Sequence, residues 1–486
     1  MEVDDFQSDT ESFLSWLSEV GVRINPKMVL KDLRSEGEGR GRGVVAAADF
    51  EEDEIVFSIP RSAVLNVQNT MPGCESSSST STLSSMPNWL ALTAAIISQG
   101  QKPHSKWAPY LAILPQQLDS LIFWSESELS ELQASTVVTK IGRKSAEEMF
   151  SQHIEPLSLP GCTNEMCHRV ASIIMAYAFD IPEDQETKQQ ENETGATEGD
   201  ADELVSDDGE EEKTVLSMIP LADMLNADAE RNNARLCCDN EDLEMRTIKP
   251  IAKGEEIFND YGQLPRSDLL RRYGYVTENY QVYDVAEISS QFIISELTNG
   301  PLNTPEGDIL APLTLQDAKK RTALAEREDI FESSYDLAYS GPGEPAIPDE
   351  LLAFLYLLLL DNDNLNAIEN SQSTLPSRSK MGTELVGQVL ANLLRLREQE
   401  YVTTLEEDEE LLQAGNLKHR TRMAIQVRQG EKRVIRAAIL EASTFTANNK
   451  RMRIGQEPKL PAGGGLNQNG KRRADDHTNM KKGRHR

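Results

Sequence analysis

The spacing of apolar residues changes several times along the chain, and each change marks a new element. Between Asp9 and Gly21, Phe13, Leu14, Trp16 and Leu17 share one side of an expected amphipathic helix that Gly21 ends. From Glu38 to Asn66, the runs GVVA and EIVFSIP read as two short strands joined by a turn around Glu51–Asp53. From Trp89 to about Ile181 the period is helical. There WLALTAAIISQG is a short apolar helix stopped at Gly100, Ser125 and Glu128 form a helix-start capping box, and HRVASIIMAYAFD carries core residues at helical spacing. Helical spacing returns after Tyr275, best at roughly 348–361, 382–400, 406–413 and 418–442. Three stretches have no such pattern. Residues 70–86 are Ser/Thr-rich and read as a loop. Residues 183–213 are acidic, bury too little apolar surface to offset their ordering entropy, and read as a disordered loop. The tail from about Asn448 is rich in Gly, Asn, Lys and Arg and reads the same way.

Val215 to Tyr275 combines several of these signatures. It opens on apolar VLSMIPLADML and continues through IKPIAKGEEIF, where Pro250 and Gly254 punctuate short β-type runs. It closes on two tyrosines followed by glycine, Tyr261-Gly262 and Tyr273-Gly274. One account is a pocket around Asn226 closed by the Tyr261 hydroxyl. The other is a buried strand–turn–strand unit with core tyrosines. The residues alone leave both open. They leave the same choice at Gly39, Gly41 and Gly43, which either let the backbone approach a ligand or form a surface loop.

Composition narrows the class. The chain has 486 residues, 38% hydrophobic and 27% charged, which suits two or three soluble domains. The start, MEVDDF, is unlike a signal peptide, and the apolar run LLAFLYLLLL at 351–360 is too short to span a bilayer. The five cysteines show no disulfide spacing. Cys162, Cys167 and His168 lack a second ligand pair, so ordinary packing, no metal and an intracellular home are expected. A net charge of −31 argues against direct nucleic-acid binding and suits a basic protein substrate, although the acidic loop carries part of it.

The segments PLADMLNADAERNNARL, IKPIAKGEEIFNDYG and LLRRYGY resemble the C-terminal half of a SET domain. The resemblance is to the Rubisco large-subunit methyltransferase branch of protein-lysine methyltransferases, and within it to the ribosomal-lysine N-methyltransferase type. That family has an Asn-His pair and a later [ND]-x-Tyr-Gly turn. Asn226 and Asn259-Asp260-Tyr261-Gly262 match; Ala227 stands in place of His and can supply the same main-chain groups. Gly41, Arg42 and Gly43 match the loop that wraps the methionine end of S-adenosylmethionine, and Asp223 matches a position beside that cofactor. Tyr177 and Phe179 fall where the family lines its lysine channel with aromatics, and each reads equally as core.

The resemblance implies an α+β fold: a SET-domain β-fold split by a helical insert, then an all-α C-terminal substrate-binding domain. The expected division is an N-terminal helix at 1–30, SET halves at 31–69 and 214–290, the insert at 70–182, the acidic loop at 183–213, the substrate-binding domain at 291–446 and a basic tail at 447–486. The implied activity is transfer of a methyl group from S-adenosyl-L-methionine to lysine. Tyr261 is the expected catalytic residue, with Tyr273 a wall of the cofactor and lysine pocket. By analogy the substrate is a large-subunit ribosomal protein, with a histone or other nuclear protein behind it. A histidine methyltransferase and a catalytically silent binding module are the alternatives. The two basic clusters of KRRADDHTNMKKGRHR resemble a bipartite nuclear-import signal, so the nucleus is expected, with the cytoplasm second. A monomer with no membrane association completes the expectation.

Overall fold

The β-branched and aromatic runs of the chain form its strands, and apolar pairing brings the distant ones together. In a computed structural model, residues 5–36, 40–70, 83, 85–183, 213–238, 241–303, 309–338 and 345–453 are described. Most of the acidic loop at 183–213, the Ser/Thr-rich loop at 70–86 and the basic tail from 454 lie outside the described residues.

Helix α1 (Asp5–Glu19) buries Phe13, Trp16 and Leu17, and Gly21 follows it with φ +87°. Strands β1 (Arg23–Ile24), β2 (Met28–Asp32), β3 (Arg42–Ala46) and β4 (Ile55–Pro60) come next. The two expected strands, β3 and β4, enter different sheets: β3 pairs antiparallel with β2, whereas β4 is central in a sheet ordered β1–β4–β8–β7. Strands β7 (Ala234–Cys237) and β8 (Asp242–Thr247) come from the far side of the acidic loop. Val56, Phe57 and Ile59 are fully buried, as expected of a central strand covered on both faces. Between the halves run β5 (Ala178–Pro182) and β6 (Thr214–Met218), an antiparallel pair that carries the chain into and out of the acidic loop. The expected strands around Pro250 and Gly254 are single bridges instead, Ile251 to Phe50 and Glu256 to Val45.

The insert holds α2 (Asn88–Gln101), α3 (Ala108–Ile113), α4 (Arg143–His153) and α5 (Asn164–Tyr177). Helix α2 passes through Gly100 and ends one residue later. A single glycine in a last turn costs only about 1 kcal/mol, too little to stop a helix whose apolar residues are buried. The Ser125–Glu128 capping box is present, on a four-residue helix at Glu126–Leu129. These helices, α1 and the strands share one apolar core.

Helix α6 (Arg266–Tyr273) leads into the C-terminal region, which contains α7 (Ser290–Asn299), α8 (Leu315–Arg327), α9 (Asp349–Leu359), α10 (Asn362–Glu369), α11 (Glu384–Gln399), α12 (Leu405–Ala414) and α13 (His419–Ala442). Every residue from Leu351 to Leu359 is buried, so the apolar run is the centre of a second core. Among the described residues no helix is long and apolar enough to cross a membrane. This region also holds strand β9 (Val285–Ser289), the short pair β10 (Leu302–Asn303) and β11 (Ile309–Leu310), and β12 (Ser334–Ala338), which pairs with β9. A third, small core joins Leu121, Trp124, Leu132 and Val137 of the insert to Leu270 of α6 and to Met423, Ala424 and Val427 of α13.

Charge is buried at the same junction. Asp408, Arg428 and Lys432 are all essentially inaccessible; Asp408 lies 2.8 Å from the Arg428 guanidinium and 2.6 Å from Lys432 Nζ. Arg428 also donates to Glu131 of the insert. Removing one member strands the others in a low-dielectric site. Asp408→Ala should therefore destabilise the fold by about 3–5 kcal/mol, measured as a lowered urea midpoint. A loss below about 1 kcal/mol, the range of an exposed pair, would show that water reaches the cluster.

Candidate active site

The two halves of the split β-fold meet at Asn226. Its Nδ2 donates to Glu256 Oε1 at 2.6 Å and to the Arg42 carbonyl at 3.4 Å, and its own carbonyl accepts from Asn259 N at 2.9 Å. Ala227 and Asn259 form a parallel bridge beside it. A β-carbon built at Gly43 would overlap Leu33 Cδ1 and sit 2.9 Å from Glu256 Oε1, so a larger residue there would push both side-chain ends aside. Gly41 differs: nothing approaches the space a side chain would take. The Arg42 side chain turns away toward α1, where it donates to Thr10 Oγ1 and the Phe6 carbonyl. Its contribution at Asn226 is its main chain. Glu256, not singled out from the sequence, also accepts from Arg40. Arg40, Glu256 and Phe258 line a polar cavity of about 530 Å³ beside this junction.

One residue before Asn226, the Leu225 carbonyl accepts a 3.2 Å hydrogen bond from the Tyr261 hydroxyl. Tyr261 and Tyr273 stack with centroids 4.3 Å apart and planes 8° from parallel, and Tyr275 meets Tyr273 edge-on at 6.3 Å. The expected pair is therefore together, and Tyr275 joins it. Burial holds the Tyr261 phenol well above its ordinary pKa, with Tyr275, Tyr177, Tyr273 and Asp223 adding to the effect. Burial, then the Asp223 carboxyl, pushes Tyr177 up to about 12. Tyr177 ends α5 and thus faces the same cluster. Phe179, two residues on in β5, is half-buried against the first core.

Asp223 sits on the short turn Ala222–Met224, entered through Leu221 at φ +78°, a strained value for a branched residue. Tyr110 of α3 donates its phenolic proton to Asp223 Oδ2, while Oδ1 is buried with no hydrogen-bond partner. Burial raises the carboxyl to about 7, against the lowering effect of Tyr110 and backbone donors. Among the described residues no group of His, Cys, Asp and Glu side chains gathers as metal ligands. Cys162 and Cys167 sulfurs are 3.4 Å apart, and His168 bonds Glu147 instead.

The raised Asp223 value has a sign that can be checked. Its pKa moves from 3.8 to about 7 on folding, so between those values the folded carboxyl keeps a proton that the unfolded one releases. Stability from this group is intact below the lower value and is lost as pH rises to the upper one. Asp223→Asn does not titrate, so its melting temperature relative to the parent should climb from about pH 4 to pH 7 and then level off. A difference that is flat with pH would mean that water solvates the carboxyl in the folded state.

Comparison with known proteins identifies the arrangement. The SET domain family model matches residues 41–262, and the Rubisco LSMT substrate-binding model matches residues 315–435. Ribosomal lysine N-methyltransferase 4 of Saccharomyces cerevisiae is 35% identical over 377 residues, which cover 74% of this chain and 72% of that one. N-lysine methyltransferase SETD6 of Bos taurus is 26% identical over 461 residues, covering 89% of this chain and 95% of its own. In fold, the crystal structure of the SET domain of LSMT bound to lysine and AdoHcy superposes with a TM-score of 0.65 at 20% identity, covering 90% of this chain and 91% of that one. The stacked tyrosines and the Asn226 junction thus lie on a SET scaffold followed by its helical partner domain, and the chain belongs to the S-adenosylmethionine-dependent protein-lysine N-methyltransferases of the Rubisco large-subunit methyltransferase branch.

Proposed function

We propose that this chain methylates a lysine of a large-subunit ribosomal protein, and that the Tyr261–Tyr273 stack beside Asn226 is where it does so. The observation that carries the site is the Tyr261 hydroxyl, aimed at the Leu225 carbonyl next to Asn226 and stacked on Tyr273. The substrate reading rests on similarity to the yeast ribosomal lysine methyltransferase and on the net charge of −31, which favours a basic partner.

The residues suit the cofactor. The buried Oδ1 of Asp223 has no donor and is the acceptor a cationic group would meet, and Asn226, Ala227 and the Gly41–Gly43 backbone form the adjoining wall. S-adenosylmethionine supplies an electrophilic methyl group on a sulfonium. The lysine amine has to be neutral to accept it, although its ordinary pKa is near 10.4. Rings of Tyr177, Tyr261 and Tyr273 exclude water and so disfavour the ammonium form. A fully ionised Asp223 would oppose this. Because burial holds it near 7, much of that opposing charge is absent at neutral pH. Tyr261 then orients the amine through its hydroxyl, and Tyr273 and Tyr177 fix the direction of approach. Phe179, half-buried on the first core two residues beyond Tyr177, is read as a further wall of the lysine channel from the family resemblance alone. The basic clusters at 471–473 and 481–482 support nuclear import.

Tyr261→Phe keeps the ring stack and removes only the hydroxyl. Turnover should fall about 10²-fold, the scale of one lost transition-state contact, with little change in melting temperature or cofactor affinity. Tyr273→Phe should lose less and partly in cofactor affinity. Intact turnover with a lowered melting temperature in Tyr261→Phe would make Tyr261 a core residue. For the substrate, the protein is incubated with methyl-labelled cofactor and separate ribosomal and nuclear extracts. Label on a lysine of a large-subunit ribosomal protein is the expected result; label confined to histones, or to histidine, would overturn it.

A further inference from the structure

Helix α13 is the last long element of the substrate-binding region, yet one of its faces lies against the helix that carries Tyr273. Met423, Ala424 and Val427 pack on Leu270, in the middle of α6. Gln426 donates to Glu278, in the segment after α6, at 2.9 Å. One turn further, Gly430 meets the start of α6. There Arg266 is fully buried and forked onto Asp284, with Nε 2.9 Å and Nη2 2.5 Å from Oδ2. The Arg266 backbone N–H also donates to Asp284 Oδ1, at 3.1 Å. A β-carbon at position 430 would overlap both Asp284 Oδ2 and Arg266 Nη2. The opposite face of α13 is fixed as firmly. Arg428 and Lys432 hold Asp408, while Glu431 accepts from Ser135 of the insert and from Tyr401, each at 2.6 Å.

Arg266 thus anchors the first residue of an eight-residue helix whose last residue is Tyr273. A helix this short moves as a rigid rod about 12 Å long, so a shift at one end is passed to the other. The stacked Tyr261 ring receives it. We propose that Arg266, clamped by Asp284 and covered by Gly430, is a positioning residue for the tyrosine pair, and that α13 of the substrate-binding region sets the geometry of methyl transfer through it. This rests on the reading of Tyr261 and Tyr273 as the reactive site. It goes beyond that reading because it makes the C-terminal helix part of catalysis as well as of substrate capture.

The test uses full-length protein, a basic peptide or protein acceptor and four variants. Gly430→Ala forces the ion pair to move. Arg266→Lys is milder: it keeps the charge and loses the planar fork. In each, kcat should fall about tenfold or more, the scale of an ångström-level misplacement, with a loss of cofactor affinity no larger than that of Tyr273→Phe. In a Tyr273→Ala background, which removes the stack, adding Gly430→Ala should cost nothing further. Additive losses would overturn the proposal, as would a lowered melting temperature with kcat per folded molecule unchanged. If Gly430→Ala does not fold, Arg266→Lys carries the same comparison in the Tyr273→Ala background. A separate outcome concerns the site itself: Tyr273→Ala with normal kcat would remove the tyrosine pair from the reaction, independently of what α13 does.

Discussion

The side chain of Asn226 is the point on which the catalytic region depends. It has two N–H groups, and they go to Glu256 and to the Arg42 carbonyl, segments that the insert and the acidic loop separate in sequence. Its carbonyl holds Asn259. The amide is half-buried with both N–H groups used, and the carbonyl that holds Asn259 is the main-chain one, so side chain and backbone together tie three segments at this point. Glycine at 43 leaves room for this contact, since a β-carbon there would displace the ends of Leu33 and Glu256 and crowd Asn226 Nδ2. The Asn226–Arg42 contact joins the two halves, and the residue immediately before Asn226 fixes the Tyr261 hydroxyl.

The helical domain solves a different problem. Its own core is a run of leucines, which gives attraction without orientation. The junction with the insert is instead specified by polar contacts: Arg428, held by Asp408 of its own domain, donates to Glu131, and Glu431 accepts from Ser135. Buried ion pairs add little net stability over apolar residues of the same size, but they admit only the arrangement that satisfies them. Arg397 does the same from α11, donating to the Ala134 and Glu287 carbonyls. The apolar contacts hold the domain on; the charges fix how it sits.

What was legible in the sequence follows this division. The long helices at the C-terminus were readable to within a few residues because 3.6-residue periodicity survives burial. Asn226, Tyr261 and Tyr273 stood out through their likeness to the SET motif; the residues alone left a pocket and a buried core unit both open. Strands β9 and β12 were not, since VAEIS and SYDLA are five residues each, lie amid helices and pair only with each other across 45 residues of chain. Arg42 was read as a cofactor residue, but its side chain serves α1, and no local pattern distinguishes a main-chain role from a side-chain one. Glu256 and Tyr110 were missed for a related reason. Each acts on a partner brought near only by tertiary folding, and neither GEEIF nor WAPYL shows that partner.

Local rules are broken at several places in the described residues, and some of the breaks lie near the tyrosines. Leu221 takes a positive φ although it is branched and buried. Asp223 Oδ1, Arg266 Nη1 and Tyr280 OH are buried without hydrogen-bond partners. Burial, then the charges of Asp228, Asp260 and Tyr273, holds the Tyr280 phenol above its ordinary pKa, so it belongs to the same neighbourhood. Each such feature costs on the order of 1–3 kcal/mol and persists only where surrounding structure enforces it. The leucine helix α9 shows no comparable defect: its residues follow period and burial together. The two kinds of break differ: Arg266 Nη1 lies 3.8 Å from Glu278 and belongs to the clamp on Asp284, whereas the donor missing at Asp223 Oδ1 is one that a bound cation would replace.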